Sequence, residues 1–182
     1  IKKKTLVGLF LAAVFAILSS IQILGIGPDR FQYESYFNKI TLSDFDSRYE
    51  FGFEYFSILF KTFFGSGSFL FFIFSIVFLS LVIKFNYLLK RKDWPILILL
   101  YLIIAMILHE FIQIRVGLAI AFCILSLAEA CKDKPSFVLK TFFFFFAASF
   151  HSTSFFFAPF IFMNTIFKQY NRFYVLTYVF TV

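Results

Sequence analysis

The chain has 182 residues, of which 61% are apolar, 24% aromatic and 15% charged, and its formal net charge is +7. Soluble domains are about 45–50% apolar and roughly 25% charged, and a domain of this size leaves much of its surface in water. The composition therefore excludes a soluble globular domain. It also excludes a disordered chain, which needs low hydrophobicity and high charge. We expect an all-α polytopic transmembrane bundle, formed by residues 1–182 as a single domain.

The first apolar run covers residues 5–26 and follows Lys2, Lys3 and Lys4. It is longer than the 7–15 apolar residues of a signal peptide, and no small-x-small cleavage site follows it, so we interpret it as the first membrane span. The chain begins at Ile1 rather than at methionine and ends inside an apolar stretch too short to span. We therefore expect a fragment, truncated at least at its C-terminal end.

Residues 28–67 form the polar part of the chain, with six acidic and four basic side chains and several tyrosines. Within it, residues 51–64 are mostly apolar, and Glu54 and Lys61 stand seven positions apart. That spacing places both charges on one helical face, which predicts an amphipathic helix lying in the membrane interface.

The remaining apolar segments predict four further spans and the start of a sixth. They cover residues 68–87, 97–108, 116–130 and 137–163, and the sixth begins near residue 173. Short basic loops at residues 90–93 and 131–136 separate them. Because the basic residues lie between apolar segments, membrane topology explains the positive charge better than nucleic-acid binding does.

The distribution of charge predicts the orientation. With the N-terminus inside, the cytoplasmic segments hold ten lysines and arginines, Lys84 and Lys140 among them, against three acidic residues, whereas the outer segments hold seven of each. Cytoplasmic loops are enriched in lysine and arginine. We therefore predict a multi-pass protein of the bacterial inner membrane, with a cytoplasmic N-terminus and loop 28–67 outside the cytoplasm.

The length of the third and fourth spans predicts a layer of polar residues near the outer face. Residues 94–130 extend about 55 Å as helix, whereas two crossings of a 30 Å core need about 60 Å. The segment 109–115, HEFIQIR, must then turn at membrane depth. His151 lies about 21 Å from the inner end of its span. His109, Glu110, Arg115 and His151 can therefore share one outward layer.

Arg115 and His151 are the strongest single candidates in that layer. An arginine at the bilayer centre costs about 2.5–3.5 kcal/mol on insertion scales, so it is either a functional group or a side chain that snorkels to the headgroups. The functional interpretation is a phosphate clamp, because a guanidinium binds phosphate oxygens bidentately. His151, in FHSTSFF, either joins helices by hydrogen bonds or acts as a base or a sugar–phosphate ligand.

The charged candidates around these two residues also have more than one interpretation each. Glu110 is solvated at the interface, pairs with Arg115 or serves as a base. Glu50 and Arg48 belong either to a solvated loop face or to a site, and the aromatic residues around them suit sugar stacking or contact with the membrane surface. Among soluble-type motifs, no P-loop, GxGxxG, HExxH or GxSxG appears.

Four landmarks follow one another along the chain: the outer loop with Asp29, Tyr33 and Tyr36; RYEFGFEYFSILF, with Glu50, Gly52 and Phe53; IRVGLAIAF, with Arg115 and Ala119; and FHSTSFF, with Phe150, His151 and Thr153. In this order they resemble the EpsG family of bacterial exopolysaccharide polymerases, a branch of the Wzy-like O-antigen polymerases. The chain departs from the family at Val116, where glutamine is frequent, and at Thr153, where serine is frequent.

The resemblance implies a metal-independent glycosyltransferase without a cofactor. Such enzymes join oligosaccharide repeat units carried on undecaprenyl diphosphate at the outer face of the inner membrane, and other polysaccharide assembly proteins are candidate partners. The expected catalytic residues are Arg115, His151, Glu110 and Glu50. The expected substrate-binding residues are Asp29, Tyr33, Tyr36, Arg48, Gly52 and Phe53.

Two other functions remain open from the residues themselves. A transporter or flippase would move a polysaccharide or lipid-linked sugar without chemistry. An assembly subunit would neither transport the sugar nor catalyse a reaction. Transporters usually have repeated halves or spans broken near mid-membrane, and the sequence contains no internal repeat.

Overall fold

The computed structural model describes residues 2–21, 28–41 and 49–167, and within these ranges the chain is helical, without a β-strand. The helices are α1 (Lys2–Ile21), α2 (Pro28–Lys39), α3 (Phe51–Phe64), α4 (Phe69–Leu88), α5 (Trp94–Ile104), α6 (Ile114–Ala130), α7 (Phe137–Phe150) and α8 (Ala158–Phe167). Three short helical turns of other types join them, at Ser66–Ser68, Ile107–Ile112 and Ser152–Phe157. The all-helical fold is confirmed.

Two helical segments among the described residues, Lys3–Ile21 and Ser66–Leu88, are long and apolar enough to cross a membrane. They correspond to the first and second spans expected from the sequence. The other apolar helices are shorter, so five complete spans stay a prediction. The start of the sixth span, near residue 173, lies outside the described residues.

The bundle is built around α4 and α6. Helix α1 packs along α4, α4 packs on α6, and α6 packs on α7. A Cβ atom added to Gly8 of α1 would lie 2.6 Å from Leu89 Cδ1, so the beginning of α1 approaches the end of α4 and the two helices are antiparallel. Buried phenylalanines such as Phe72 and Phe85 fill the contacts of α4.

The polar segment between α1 and α4 folds into α2 and α3, which lie against the bundle. The expected helix over residues 51–64 is confirmed as α3, but its polar face packs on protein. Glu54 is buried, and Lys61 Nζ donates to the Asn38 and Ile40 carbonyls at 2.7 and 3.0 Å at the end of α2. The exposed side of α3 is an apolar row: Phe51, Tyr55, Leu59 and Phe63. A helix with this exposed row suits the interface location expected for it.

The polar segment HEFIQIR differs from the turn expected over residues 109–115. The first four residues of this segment belong to a π-helical turn, Ile107–Ile112. Only Gln113, at φ −107° and ψ 62°, leaves the helical conformation before α6 begins. The Gln113 amide donates to the Leu108 carbonyl at 2.9 Å, which closes the wide turn. The helical path is therefore interrupted at a single residue, Gln113.

The fifth apolar segment, expected as one span over residues 137–163, is broken in its middle. Helix α7 ends at Phe150, and His151 is extended at φ −160° and ψ 133°. A 3₁₀ turn, Ser152–Phe157, then leads into α8, whose second residue is Pro159. The break arises because the backbone N–H of Thr153 turns to the His151 ring and that of Ser152 turns to a carboxylate, rather than both continuing the α-helical ladder.

Candidate functional site

Arg115 is the second residue of α6 and extends toward the helices of the polar segment. Its Nη1 forms an ion pair with Glu50 Oε2, immediately before α3. Its Nε donates a long hydrogen bond of 3.4 Å to the Tyr33 hydroxyl on α2. The side chains of Arg115 and Glu50 are 16% and 23% exposed, so the pair is shielded but can be reached from outside.

Three aromatic rings surround the Arg115 guanidinium. Its Cζ lies 4.8 Å from the ring centre of Tyr49, 5.7 Å from that of Tyr33 and 5.6 Å from that of Phe53. A cation within about 6 Å of a ring face is attracted by the ring quadrupole. The rings thus hold the guanidinium in place while leaving donor groups for an anion.

Glu50 connects Arg115 to the break after α7. Its Oε1 accepts a 3.1 Å hydrogen bond from the backbone N–H of Ser152, and His151 Nε2 lies 4.0 Å from the same oxygen. The two oxygens of one carboxylate therefore face two different helix ends. The structure brings Arg115, Glu50 and His151 into one cluster, here named the outer cluster.

The contacts of His151 fix its tautomer. The backbone N–H of Thr153 donates to Nδ1 at 3.2 Å, and the Thr153 hydroxyl lies 2.9 Å from the same nitrogen. A nitrogen that accepts a backbone N–H carries no proton, so the proton of the neutral ring is on Nε2. Nε2–H therefore points into the outer cluster as a donor, and this arrangement suits binding of an anion or a sugar better than base catalysis.

Gly52 determines how closely α3 approaches α7. A Cβ atom at this position would lie 2.3 Å from Ser149 Oγ and 2.7 Å from the Ser149 backbone oxygen. Only glycine fits so close to another backbone. The resemblance predicts that Gly52 binds substrate. In the structure Gly52 instead packs against Ser149, and this close packing lets Glu50 reach the broken end of α7.

The other expected substrate-binding residues have different positions. Phe53 and Tyr33 are both buried, and both contact Arg115. The centre of the Tyr36 ring lies 4.2 Å from that of the Tyr49 ring. The backbone of Asp29 lies in the first turn of α2. Arg48 lies outside the described residues.

Glu110 does not pair with Arg115, contrary to one of the interpretations given above, and it does not lie at a solvated interface. It is fully buried, and its Oε1 accepts hydrogen bonds from Lys84 at 2.5 Å, Tyr101 at 2.7 Å and Ser80 at 3.0 Å. The reason is geometric, because the π-helical turn directs Glu110 toward α4 and α5, whereas Arg115 follows the break at Gln113. We name this group of four side chains the inner network.

Sequence reasoning missed two contributors and included a third, Tyr49, only among the aromatic residues around Glu50. Tyr49 is the ring nearest the guanidinium, and its position beside Glu50 in the sequence was the available signal. The backbone N–H of Ser152 is invisible to any search for side-chain motifs. Lys84 was expected among the cytoplasmic charges, but it is 2% exposed and belongs to the inner network; the signal was a lone charge within an apolar helix.

The outer cluster can bind an anion beside a carboxylate. The guanidinium and the Nε2–H of His151 are donors for phosphate-like oxygens, and Glu50 can accept a proton. Across residues 2–21, 28–41 and 49–167, no group of three or more His, Cys, Asp and Glu side chains is placed to hold a metal ion.

Comparison with known families gives one match. The model of the EpsG family matches residues 5–182, nearly the whole chain. No curated protein and no solved structure matches the chain. The chain therefore belongs to the EpsG family.

Proposed function

We propose that this EpsG family protein is a membrane glycosyltransferase that polymerises lipid-linked oligosaccharide repeat units of a bacterial exopolysaccharide, capsule or O-antigen. The observation that carries the proposal is the outer cluster, in which an arginine, a carboxylate and a histidine meet at the ends of three helices. The family membership supports an exopolysaccharide polymerase-like activity.

The proposed topology places the outer cluster where a lipid-linked diphosphate carries its charge. Five spans cross the inner membrane, with the N-terminus in the cytoplasm. Arg115 lies about 23 Å from the inner end of α6, and His151 lies about 21 Å from that of α7. Both positions fall in the outer part of a 30 Å hydrocarbon core. The diphosphate of undecaprenyl diphosphate would therefore meet both side chains while its tail stays in lipid.

The proposed reaction is the attack of an acceptor sugar hydroxyl on the anomeric carbon of the donor. Glu50 accepts the hydroxyl proton as the new C–O bond forms and the bond to the diphosphate breaks. The departing diphosphate keeps the bonding electron pair, and Arg115 stabilises its charge together with the Nε2–H of His151. Arg115 must exchange its ion pair with Glu50 for the phosphate, which frees the carboxylate to act as base.

The tyrosines beside the outer cluster extend the proposal to the sugar. Tyr33 and Tyr49 line one side of Arg115 with their rings, and aromatic faces of this kind stack on sugar rings. Asp29 and Arg48 belong to the same outer segment and complete the proposed sugar-binding region. Tyr36 supports the ring of Tyr49 from behind.

A transporter or flippase for polysaccharide or lipid-linked sugar is the second candidate. One observation favours it: helices are interrupted at Gln113 and at His151, and transporters often bind their substrates at broken helices. The polymerase is favoured because both interruptions lie beside one carboxylate and an anion-binding arginine. Glycosyl transfer requires a base beside an anion-binding group, whereas transport does not.

The side of the membrane on which the lipid-linked repeat unit accumulates separates the two. Cells lacking the protein should accumulate single repeat units on their lipid carrier at the outer leaflet, where an externally added glycosidase can digest them. Accumulation at the inner leaflet, protected until the cells are opened, would contradict the polymerase and support the flippase. Normal polymer length in such cells would exclude both.

A further inference from the structure

The inner network is the most buried group of charges among the described residues, and the proposed reaction does not use it. Lys84 and Glu110 are 2% and 0% exposed, and Ser80 is completely buried with them. Breaking a buried ion pair by removing one partner typically costs more than the pair contributes, because an uncompensated charge stays behind. Loss of either charge in the inner network should therefore disturb the helices that the network joins.

The inner network holds the segment immediately before Arg115. Three donors from α4 and α5 converge on one oxygen of Glu110, and the Ser19 hydroxyl of α1 donates to its backbone carbonyl at 2.5 Å. Side chains of α1, α4 and α5 thus all donate hydrogen bonds to a single residue of the π-helical turn. That residue stands five positions before Arg115.

The other face of Glu110 is fixed by α6 itself. A Cβ atom at Gly117 would lie 2.5 Å from the His109 backbone oxygen and about 3 Å from both carboxylate oxygens of Glu110. The carboxylate therefore rests against the first turn of α6, two residues after Arg115. A shift of Glu110 toward α6 would therefore have to move that turn or collide with it.

A small cavity joins the two groups of residues. Ser19, which holds Glu110, and Tyr33, which contacts Arg115, both line it. The remaining lining residues are Ser20, Ile73, Phe111, Ile112 and Ile114. The segment between Glu110 and Arg115 thus borders this cavity, and its buried side chains Phe111 and Ile114 also belong to the hydrophobic core.

We propose that Lys84 and Glu110 are positioning residues: Lys84 compensates the buried charge of Glu110, and Glu110, anchored by Tyr101 and Ser80, fixes the helix break between the π-helical turn and α6, and thereby the place of the Arg115 guanidinium. The effect of this pair on turnover rests on the proposed function, whereas its effect on the break does not. Glu110 is accordingly not the base of the reaction.

The test combines three variants of the purified full-length protein in phospholipid vesicles. Lys84→Met removes one charge, Glu110→Gln removes the other but keeps an acceptor for Tyr101, and the double variant removes both while retaining most of the volume. Lys132→Met is the matched control, because it deletes the ion pair with Glu129 near the opposite end of α6. Backbone hydrogen exchange and polymerisation kinetics are measured on the same samples.

We expect Lys84→Met to accelerate exchange at residues 107–115 at least tenfold, with the ends of α4 and α7 unchanged, and to lower kcat/KM for the lipid-linked donor 10- to 100-fold. The double variant should recover slow exchange and kcat/KM within about threefold of the wild type. The Lys132→Met control should match the wild type in both measurements.

Three results would overturn the proposal. Exchange at residues 107–115 unchanged in Lys84→Met, or accelerated equally everywhere, would show that the pair does not fix the break. A double variant with slow exchange but no activity would show that the Glu110 charge takes part in chemistry. If the wild type makes no polymer while the exchange pattern follows the expectation, only the polymerase function fails.

Discussion

The backbone N–H of Ser152 donates a 3.1 Å hydrogen bond to Glu50 Oε1 across 102 positions of sequence. This bond joins the start of α3 to the interruption after α7. Because the N–H is free only where the α-helix is broken, the break and the position of Glu50 depend on each other. The outer cluster is therefore a property of the assembled bundle and not of any one helix.

Replacement of Arg115 tests whether the guanidinium acts by its shape. Arg115→Lys keeps the charge but loses the planar fork and the stacking against Tyr49, so it should reduce chain extension almost as much as Arg115→Ala. The measurement is polymer length in cells, normalised to the amount of inserted protein. Arg91→Lys, in an exposed loop, is the control. Full polymer production by Arg115→Ala would support the snorkelling interpretation instead.

Replacements of His151 test the roles of its two ring nitrogens separately. In His151→Asn the amide oxygen can replace Nδ1 and accept from Thr153 N–H, so the helix break should persist while the donor toward Glu50 is lost. We expect normal insertion and at least tenfold slower chain extension. His151→Gln places its amide near Nε2 and should disturb the break more.

Protein level and polymer length measured together distinguish the two roles of His151. Loss of activity in proportion to loss of inserted protein in both variants would indicate a residue that only joins helices. Normal polymer length from a well-inserted His151→Asn variant would remove the imidazole from the site.

Addition of one methyl group at Gly52 should separate α3 from α7. The added Cβ would meet both the side chain and the backbone oxygen of Ser149, and overpacking of this kind typically costs about 1–3 kcal/mol. Gly52→Ala should lower thermal stability and activity together, and Ser149→Ala should not restore them because the backbone oxygen remains. Gly67→Ala should be neutral in both measurements, because a Cβ atom added at Gly67 would have no neighbouring atom within 4 Å. A fully active Gly52→Ala variant would contradict the close approach.

Thiol labelling tests the orientation. Cys131 is exposed and Cys123 is buried, so a Cys123→Ser variant leaves one accessible thiol in the described part of the chain. That thiol should resist a membrane-impermeant reagent in intact spheroplasts and react after permeabilisation. A cysteine at Ser66, in a Cys123→Ser/Cys131→Ser background, should react without permeabilisation. The opposite pattern would invert the topology.

Local patterns were sufficient to predict much of the helical framework. Apolar runs and the breaks between them predicted α3 and α4 to within one residue and the place of α1 in the chain, since these depend on composition and on glycine or charge at their ends. Counting the helical rise also predicted that Arg115 and His151 are at similar depths, and both meet Glu50 in the structure. The orientation prediction does not depend on Lys84, because nine other basic residues remain on the same side.

Pairing between distant residues could not be predicted in this way. Arg115 had two candidate carboxylates, one five positions away and one 65 positions away, and it pairs with the distant Glu50. The near one, Glu110, is directed to Lys84 by the π-helical turn, a backbone feature that no residue periodicity encodes. The break at His151 has the same origin, because it is stabilised by a carboxylate from another helix.

The most direct test of the central claim is the product length made by purified full-length protein from one defined lipid-linked repeat unit in vesicles, with wild type and Glu50→Gln compared. Glu50→Gln keeps an acceptor for Ser152 N–H but cannot serve as base, so it should be folded and at least 100-fold slower in extension. Glu34→Gln, on α2, should match the wild type. A ladder of products from the wild type and none from Glu50→Gln is the result we predict. Ladders of equal length from both proteins would contradict the assignment of Glu50 and the mechanism built on it.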